Sequence, residues 1–267
     1  MTIGMSAAYL ACTNMQLNQV QSRFYDNMNG NLKSFPNPTI SNPSSFSFSA
    51  IGDAHIGSTG GNLFTTALTK SLAGGDSFAV TTGDDSNTGQ TTEMVAFNNQ
   101  IASIGLPVYP AIGNHDIFFG GWANYKITIG RSIYSFNAGV VHFIMLDTGN
   151  GTFGVEQLNW LRDDLKNTAQ PLKVVVMHFP VYVNEFSSIY KLSSDEEATI
   201  FKNMMHQYGV QLVLSGHYHG SADNIIGGTR YLVTGACNTI LDPGQHSHYV
   251  RVTVANGALV TSQIFLN

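Results

Sequence analysis

Five short runs in this chain combine groups that bind metals and move protons. They are Asp53-Ala54-His55, Gly83-Asp84-Asp85, Gly113-Asn114-His115-Asp116, the single His178, and Gly216-His217-Tyr218-His219. The third run is the densest. An amide, an imidazole and a carboxylate in succession can ligate a metal, donate a proton and orient the donor. The glycine before them lets the backbone turn sharply or approach a ligand closely. Alone, such a tetrapeptide is also compatible with an ordinary turn, and the complementary groups in the other four runs give it weight. Carboxylate, imidazole and amide-oxygen donors in this mixture suit Zn²⁺, Mn²⁺ or iron better than Mg²⁺ or Ca²⁺. They are too many for one tetrahedral ion and enough for two. Two such ions about 3.5–4 Å apart clamp an in-line displacement at phosphorus and lower the pKa of the attacking water.

Each run stands where a strand-like stretch gives way to a loop. Phe46–Ile51 leads into Asp53, Phe78–Thr82 into Asp84, and Val108–Ile112 into Gly113. Lys173–Met177 leads into His178, and Val210–Leu214 into Gly216. Helix-like segments separate the first three: Asn62 to Ala73, closed by Gly74-Gly75, and Thr92 to Ile104, closed by Gly105. This βαβαβ rhythm implies parallel strands with right-handed crossovers. Asp53, Asp84 and Asn114 are therefore expected at one sheet edge, the carboxyl edge at which open α/β sheets bind ligands. Farther on, Ile133–Phe136 and Val140–Leu146 read as a hairpin, and Val155 to Lys166 as an amphipathic helix with Leu158, Leu161 and Leu165 on one face. Ser193 and Ser194, each three residues before Glu196 and Glu197, form a capping-box signature for a helix to about Tyr208. Arg230–Thr234, His248–Ala255 and Leu259–Leu266 read as antiparallel strands.

The length of 267 residues is near the upper end for a single α/β domain and ample for a large core. Asp26 to Ser45, with three prolines and several Asn and Ser, reads as a linker, so residues 1–45 are expected to be an N-terminal segment and 46–267 the folded domain. Met5–Cys12 faintly resembles the end of a lipoprotein signal but lacks a basic n-region, and an ordinary helix is the favoured reading. Charged residues make up 11%, less than half the usual share, so the surface must be made polar by Asn, Ser, Thr, Gln and Gly. That balance favours an extracytoplasmic setting, secreted or periplasmic. A net charge of −5 with no Lys/Arg run argues against binding nucleic acid through its phosphates. The two cysteines, Cys12 and Cys237, make no disulfide framework, and no apolar run has the length of a transmembrane segment.

The five runs in this order resemble the signature of the calcineurin-like metallophosphoesterase family, over roughly Phe46 to Ala236. The resemblance implies an α/β fold, a four-layer α-β-β-α sandwich of two mixed sheets flanked by helices, in a single domain. It also implies two divalent or mixed-valence transition-metal ions. Asp53, His55, Asp84 and His219 would hold one, and Asp84, Asn114, His178 and His217 the other, with Asp84 bridging. A metal-bridging hydroxide would be the nucleophile. His115 would stand beside the metals, contact the phosphate and protonate the leaving oxygen, with Asp116 orienting its ring. The implied activity is hydrolysis of a small phosphomonoester or phosphodiester. The competing reading is a scaffold that kept the fold and lost catalysis. Purple acid phosphatases, a branch of the family, carry a Tyr three residues after the bridging Asp and lack the first-block His. Here Asn87 takes the Tyr position and His55 is present, which is closer to the bacterial phosphodiesterase type.

Other polar residues read differently. His142 on an apolar strand reads as a core histidine, His206 near a helix C-terminus as structural, and Asp85 as a neighbour of the ligands. His246 and His248 share a face if their segment is a strand. Tyr218 borders the pocket. Substrate choice is expected in the loops Phe118–Trp122 and Val181–Tyr190, whose aromatics would either stack on a substrate ring or pack as a lid. No Arg or Lys near the motifs stands out as a phosphate clamp; Arg131 and Lys191 are candidates that nothing in the sequence singles out.

Overall fold

The computed structural model describes residues 18–60, 62–184, 188–241 and 244–266. Cys12 and the Met5–Cys12 stretch lie outside them. A helix over 18–29 (α1) comes first, followed by β1 (Phe46–Ile51), α2 (Phe64–Ala73), β2 (Ala79–Thr81), α3 (Thr91–Ile104) and β3 (Val108–Tyr109). A 3₁₀ segment, His115–Gly120, leads into α4 (Trp122–Thr128). Then come β4 (Tyr134–Ala138), β5 (Val141–Met145), α5 (Val155–Asn167), β6 (Leu172–Val176), α6 (Asp195–Gln207) and β7 (Leu212–Ser215). Four strands close the chain: β8 (Ser221–Ile226), β9 (Thr229–Thr234), β10 (His248–Ala255) and β11 (Ala258–Phe265).

The strands form two mixed sheets, ordered β11-β10-β1-β2-β3 and β4-β5-β6-β7-β9-β8. Period-two alternation assigns their faces. In β1, Phe46, Phe48 and Ala50 point between the sheets, where they meet Phe78, Val80, Phe143, Val174 and Leu214. The opposite face of the first sheet, with Ile51, Ala79 and Ile112, is covered by Phe64, Leu68, Met94, Phe97 and Tyr125 from α2, α3 and α4. The opposite face of the second sheet, with Ile144, Val175 and Val213, is covered by Leu158, Leu161 and Leu165 of α5 and Phe201, Met204 and Met205 of α6. Three apolar layers thus separate four structural ones, the α-β-β-α sandwich that the family resemblance implied.

The βαβαβ unit is parallel as expected, with Ala50 opposite Val80 and Val80 opposite Tyr109. Arg230–Thr234 departs from the antiparallel expectation on one side. As β9 it runs parallel to β7 and antiparallel to β8. The partner β8, Ser-Ala-Asp-Asn-Ile-Ile, was not foreseen. It is an edge strand with no buried residue, its first four positions being small or polar, and so lacks a strand's apolar signature. Ser194 caps α6 by accepting from the Glu197 N–H at 3.2 Å, but the Glu197 carboxylate accepts from the N–H groups of Phe153 and Gly154 rather than closing the box.

The segment before β1 packs onto the body. α1 buries Val20, Arg23 and Asn27, spaced as one helical face. Arg23 makes two hydrogen bonds to Asp147 (2.8 and 2.9 Å) just beyond β5. Phe35 stacks on Tyr134 with centroids 4.6 Å apart, and Tyr109 donates to the Pro36 carbonyl at 2.7 Å. Residues 31–45 thereby run past β3 and β4, the edge strands of the two sheets. Isolated anchors in a proline-rich stretch have no periodicity for sequence reading to detect.

Candidate metal centre

Three of the loops that carry the functional residues interlock through their backbones. The Asp53 N–H donates to the Gly83 carbonyl (3.2 Å), His55 to that of Asp84 (2.9 Å) and Ile56 to that of Asp85 (3.0 Å), so the loops after β1 and β2 continue the pairing of their strands. The loop after β3 comes still closer. A side chain at Gly113 would collide with Asp84 Oδ1 and the Asp84 backbone, which explains the glycine by close approach. With that space free, the His115 N–H donates to Asp84 Oδ1 at 2.8 Å. From the second sheet, the His217 N–H reaches across to both oxygens of Asp53, at 3.0 and 3.2 Å.

The backbone here is strained. Asp53, His55, Asp84, His217 and His219 all have positive φ, between 45° and 71°. Among the described residues only Phe119 and Asn256 share this feature without being glycine. The left-handed region costs a residue with a Cβ roughly 1–2 kcal/mol, and such strain persists where the surrounding structure enforces it, commonly at functional sites. It turns these side chains back over the sheet edge, toward one another.

The result is two groups of facing ligand atoms: Asp53, His55, Asp84 and His219 in one, and Asp84, His178 and His217 in the other, the atoms of each lying within 4.8 Å of one another. Asp84 Oδ2 is shared, 3.6 Å from His55 Nε2 and 3.3 Å from His178 Nε2. His219 Nε2 lies 3.5 Å from Asp53 Oδ1 and 3.0 Å from His55 Nε2. Asn114 Oδ1 lies 3.0 Å from His178 Nε2, and His217 Nδ1 lies 3.2 Å from the same nitrogen. All seven residues expected as ligands are thus brought together. His246 and His248 join neither group, and a contact between His248 Nδ1 and the His246 carbonyl occupies the pair locally.

The far nitrogens decide what the near ones present. His178 Nδ1 donates to the Thr82 carbonyl and His219 Nδ1 to the Ile240 carbonyl, each at 2.8 Å. Both rings are thereby held with Nε2 toward the cluster, the usual arrangement behind a metal-ligating imidazole. Thr148 Oγ1 accepts from the N–H groups of His178 and Phe179 and sets the loop that bears the ring. These supports are backbone carbonyls and one hydroxyl, which carry no motif signal; sequence reasoning missed them.

Electrostatics separates the donors. Burial pushes His55 down to about 4, and burial together with neighbouring His178 pushes His217 down to about 3. Burial raises Asp53 to about 6. For Asp84 burial acts upward, but His178 and then His55 outweigh it and hold the carboxyl below the usual range. The same pairing, working against burial, lifts His178 to about 9. The pocket therefore contains one firm ion pair, Asp84 with His178, beside two imidazoles, His55 and His217, that burial keeps neutral. Oxygen and imidazole donors crowded this closely, with few protons between them, suit cations. The donor chemistry fits a metal pair.

His115 stands beside the cluster, its ring centroid 4.4 Å from that of His55. Its orienting partner differs from the expected one. His115 Nδ1 meets the Asn87 carbonyl at 2.7 Å, whereas the Asp116 carboxylate accepts from the backbone N–H groups of Gly113 (2.9 Å) and Ser86 (2.8 Å) and from the Ser86 hydroxyl. Asp116 ties the second and third loops together. Burial and the nearby Asp84 raise it to about 6. Asp85 stays out of the ligand groups and accepts from Thr81 Oγ1. His142 lies between Asn137 and Asp164, and His206 bonds the Gly227 carbonyl, both away from the cluster. Lys191 pairs with Asp195 at 2.6 Å and is not held at the site as a clamp.

A profile of the calcineurin-like phosphoesterase family matches residues 46–221. Purple acid phosphatase 23 of Arabidopsis thaliana is 37% identical over 93 residues, 32% of this chain and 19% of that protein, so the match spans about a fifth of the relative's length. The structure of purple acid phosphatase PPD1 from yellow lupin (Lupinus luteus) superposes with a TM-score of 0.71 at 16% identity, covering 86% of this chain and 53% of the lupin one. GAP50 of Plasmodium, described as an anchor in the inner membrane complex, superposes with a TM-score of 0.66 at 14% identity, covering 84% and 85%. At these identities the two superpositions speak to fold alone. No helix among the described residues is long and apolar enough to cross a membrane.

Proposed function

The chain belongs to the calcineurin-like phosphoesterase family, and from that membership we propose that it hydrolyses a small phosphoric mono- or diester at the carboxyl edge of its sheets. Asp53, His55, Asp84 and His219 would hold one transition-metal ion, and Asp84, Asn114, His178 and His217 a second. The observation that carries this reading is the position of Asp84 Oδ2, between His55 Nε2 at 3.6 Å and His178 Nε2 at 3.3 Å. Such an ion pair supplies Lewis acidity toward the phosphoryl oxygens and lowers the pKa of water.

The chain's own groups do the rest. The Thr82 and Ile240 carbonyls hold the rings of His178 and His219 with Nε2 toward the cluster, so neither ring has to turn before loading, and His178 gives up its Nε2 proton as the metal enters. His115, oriented by the Asn87 carbonyl, has Nε2 left to give a proton to the leaving oxygen. Asp116 serves as a positioning residue, fixing Gly113 and Ser86 so that Asn114 and His115 stay in register with Asp84. The acidic, cation-poor chain favours a small ester over nucleic acid. Asn87 stands where purple acid phosphatases carry Tyr, so that position offers no tyrosinate ligand.

A second reading, a scaffold without catalysis, draws on the Plasmodium anchor, whose fold is the same. Against it, every donor position here is filled. His115→Ala separates the readings. Metal content is expected to stay at the wild-type level while turnover of an aryl phosphate falls about 10²- to 10⁴-fold. Equal loss of metal and turnover would overturn the acid role, and a wild-type protein with neither would establish the scaffold.

A further inference from the structure

The rim of the site is aromatic and apolar where a phosphate-rich substrate would need cations. On the His115 side, Phe118 lies 4.4 Å from the His115 ring, centroid to centroid, and Phe119 stands 6.2 Å from Phe118 at 71°, making an open corner. Phe118 is 39% exposed and Phe119 86%. Phe119 also has φ 51°, a conformation that disfavours any residue with a Cβ. A large apolar ring held in solvent on a strained backbone has no account in the folding of this chain. It neither caps nor fills a core, and Gly120, which directly follows, would adopt the same conformation freely. On the far side, Phe179 lies 3.8 Å from the His217 ring, Tyr190 packs at 5.1 Å on Tyr218, and Ile240, whose carbonyl holds His219, is 45% exposed. The cations on the flanking segments are engaged elsewhere: Arg23 with Asp147, Lys126 with Asp26, Lys191 with Asp195.

We infer that Phe118 and Phe119 form the leaving-group subsite and select esters whose leaving alcohol carries a planar apolar ring. This rests on the proposed hydrolysis, in which His115 serves the leaving oxygen and so marks the side on which the alcohol departs. A third ring entering the corner would lie against Phe118 and meet Phe119 edge-on or stacked, both favourable aromatic geometries. An alcohol bearing a second phosphate would meet two apolar rings there.

The test compares benzyl phosphate with n-butyl phosphate, whose leaving alkoxides are close in basicity, using metal-loaded protein. Wild type is expected to prefer the benzyl ester about five- to tenfold in kcat/KM, mainly through KM. Phe119→Gly keeps a residue suited to positive φ, and it should bring the ratio close to one; Phe118→Ala should do the same. A wild-type ratio near one, or a ratio untouched by both substitutions, overturns the subsite. If neither ester turns over, the monoesterase reading has failed, and affinities for benzylphosphonate and butylphosphonate by calorimetry then judge the subsite alone. A benzyl preference lost in Phe119→Gly supports it, and equal affinities overturn it.

Discussion

The short strand β2 has a buried carboxylate beyond each end, and the two are opposites. Before it, Asp76 is fully served: Oδ1 accepts from the Ser47 hydroxyl (2.6 Å) and Arg251 Nε (2.9 Å), while Oδ2 accepts from the hydroxyls of Ser49 and Ser71. After it, Asp84 accepts one backbone N–H on Oδ1 and turns Oδ2 toward imidazoles that are themselves ligands in waiting. The Asp76 end satisfies its charge with protein donors in relaxed backbone. At the Asp84 end acceptors gather on strained backbone, and the counter-charge comes from His178, itself an expected metal ligand. Both ends are buried polar clusters, but only the second surrounds its carboxylate with residues that could themselves hold a metal ion. Buried polarity alone therefore does not mark a site; a carboxylate set among such residues does.

Three measurements would break or sharpen this contrast. The largest effect is expected at the open end. Asp84→Asn keeps shape and removes the shared charge, so metal content should fall and phosphatase turnover should drop on the order of a thousandfold. Full metal content in this variant would refute a bridging role. At the closed end, Asp76→Ala should leave metal content unchanged but destabilise the fold by about 3 kcal/mol, because Arg251 and three hydroxyls lose their acceptor. Loss of metal without loss of stability would erase the distinction between the ends. The smallest effect is a proton count. His178 is raised to about 9, so in the metal-free protein it still holds its proton at pH 7. Metal loading at that pH should release about one proton from it, read by calorimetry in buffers of different ionisation enthalpy. The sign for stability follows. A raised folded pKa stabilises the metal-free protein below the ordinary histidine value of about 6.5, and that contribution fades as pH rises through about 9. A metal-free protein whose melting point stays flat across that window would contradict the Asp84–His178 pair.

Much of this was legible from side-chain types in order. The runs around Asp53, Asp84, Asn114, His178 and His217 stand at strand ends because period-two apolar stretches stop there, and the parallel rhythm sends them to one edge. The helix over 18–29 and residues 31–45 were not legible, since Arg23, Phe35 and Pro36 act one at a time. The partner behind His115 was not legible either. A carboxylate one residue away was the natural guess, yet a carbonyl 28 positions earlier holds the ring. β8 escaped because an edge strand with no buried residue has no apolar face to show.

The sequence by itself determined which donors exist, their order, and that five strand ends carry them, because ligand chemistry and strand periodicity are properties of residue type and spacing. Only the tertiary structure decided how those donors face one another, which backbone carbonyls hold the imidazoles, which residues bear left-handed strain, and that Phe118 packs on His115 with Phe119 exposed next to it. Those are matters of distance between segments far apart in the chain, and backbone groups, identical at every residue, leave no trace in the letters.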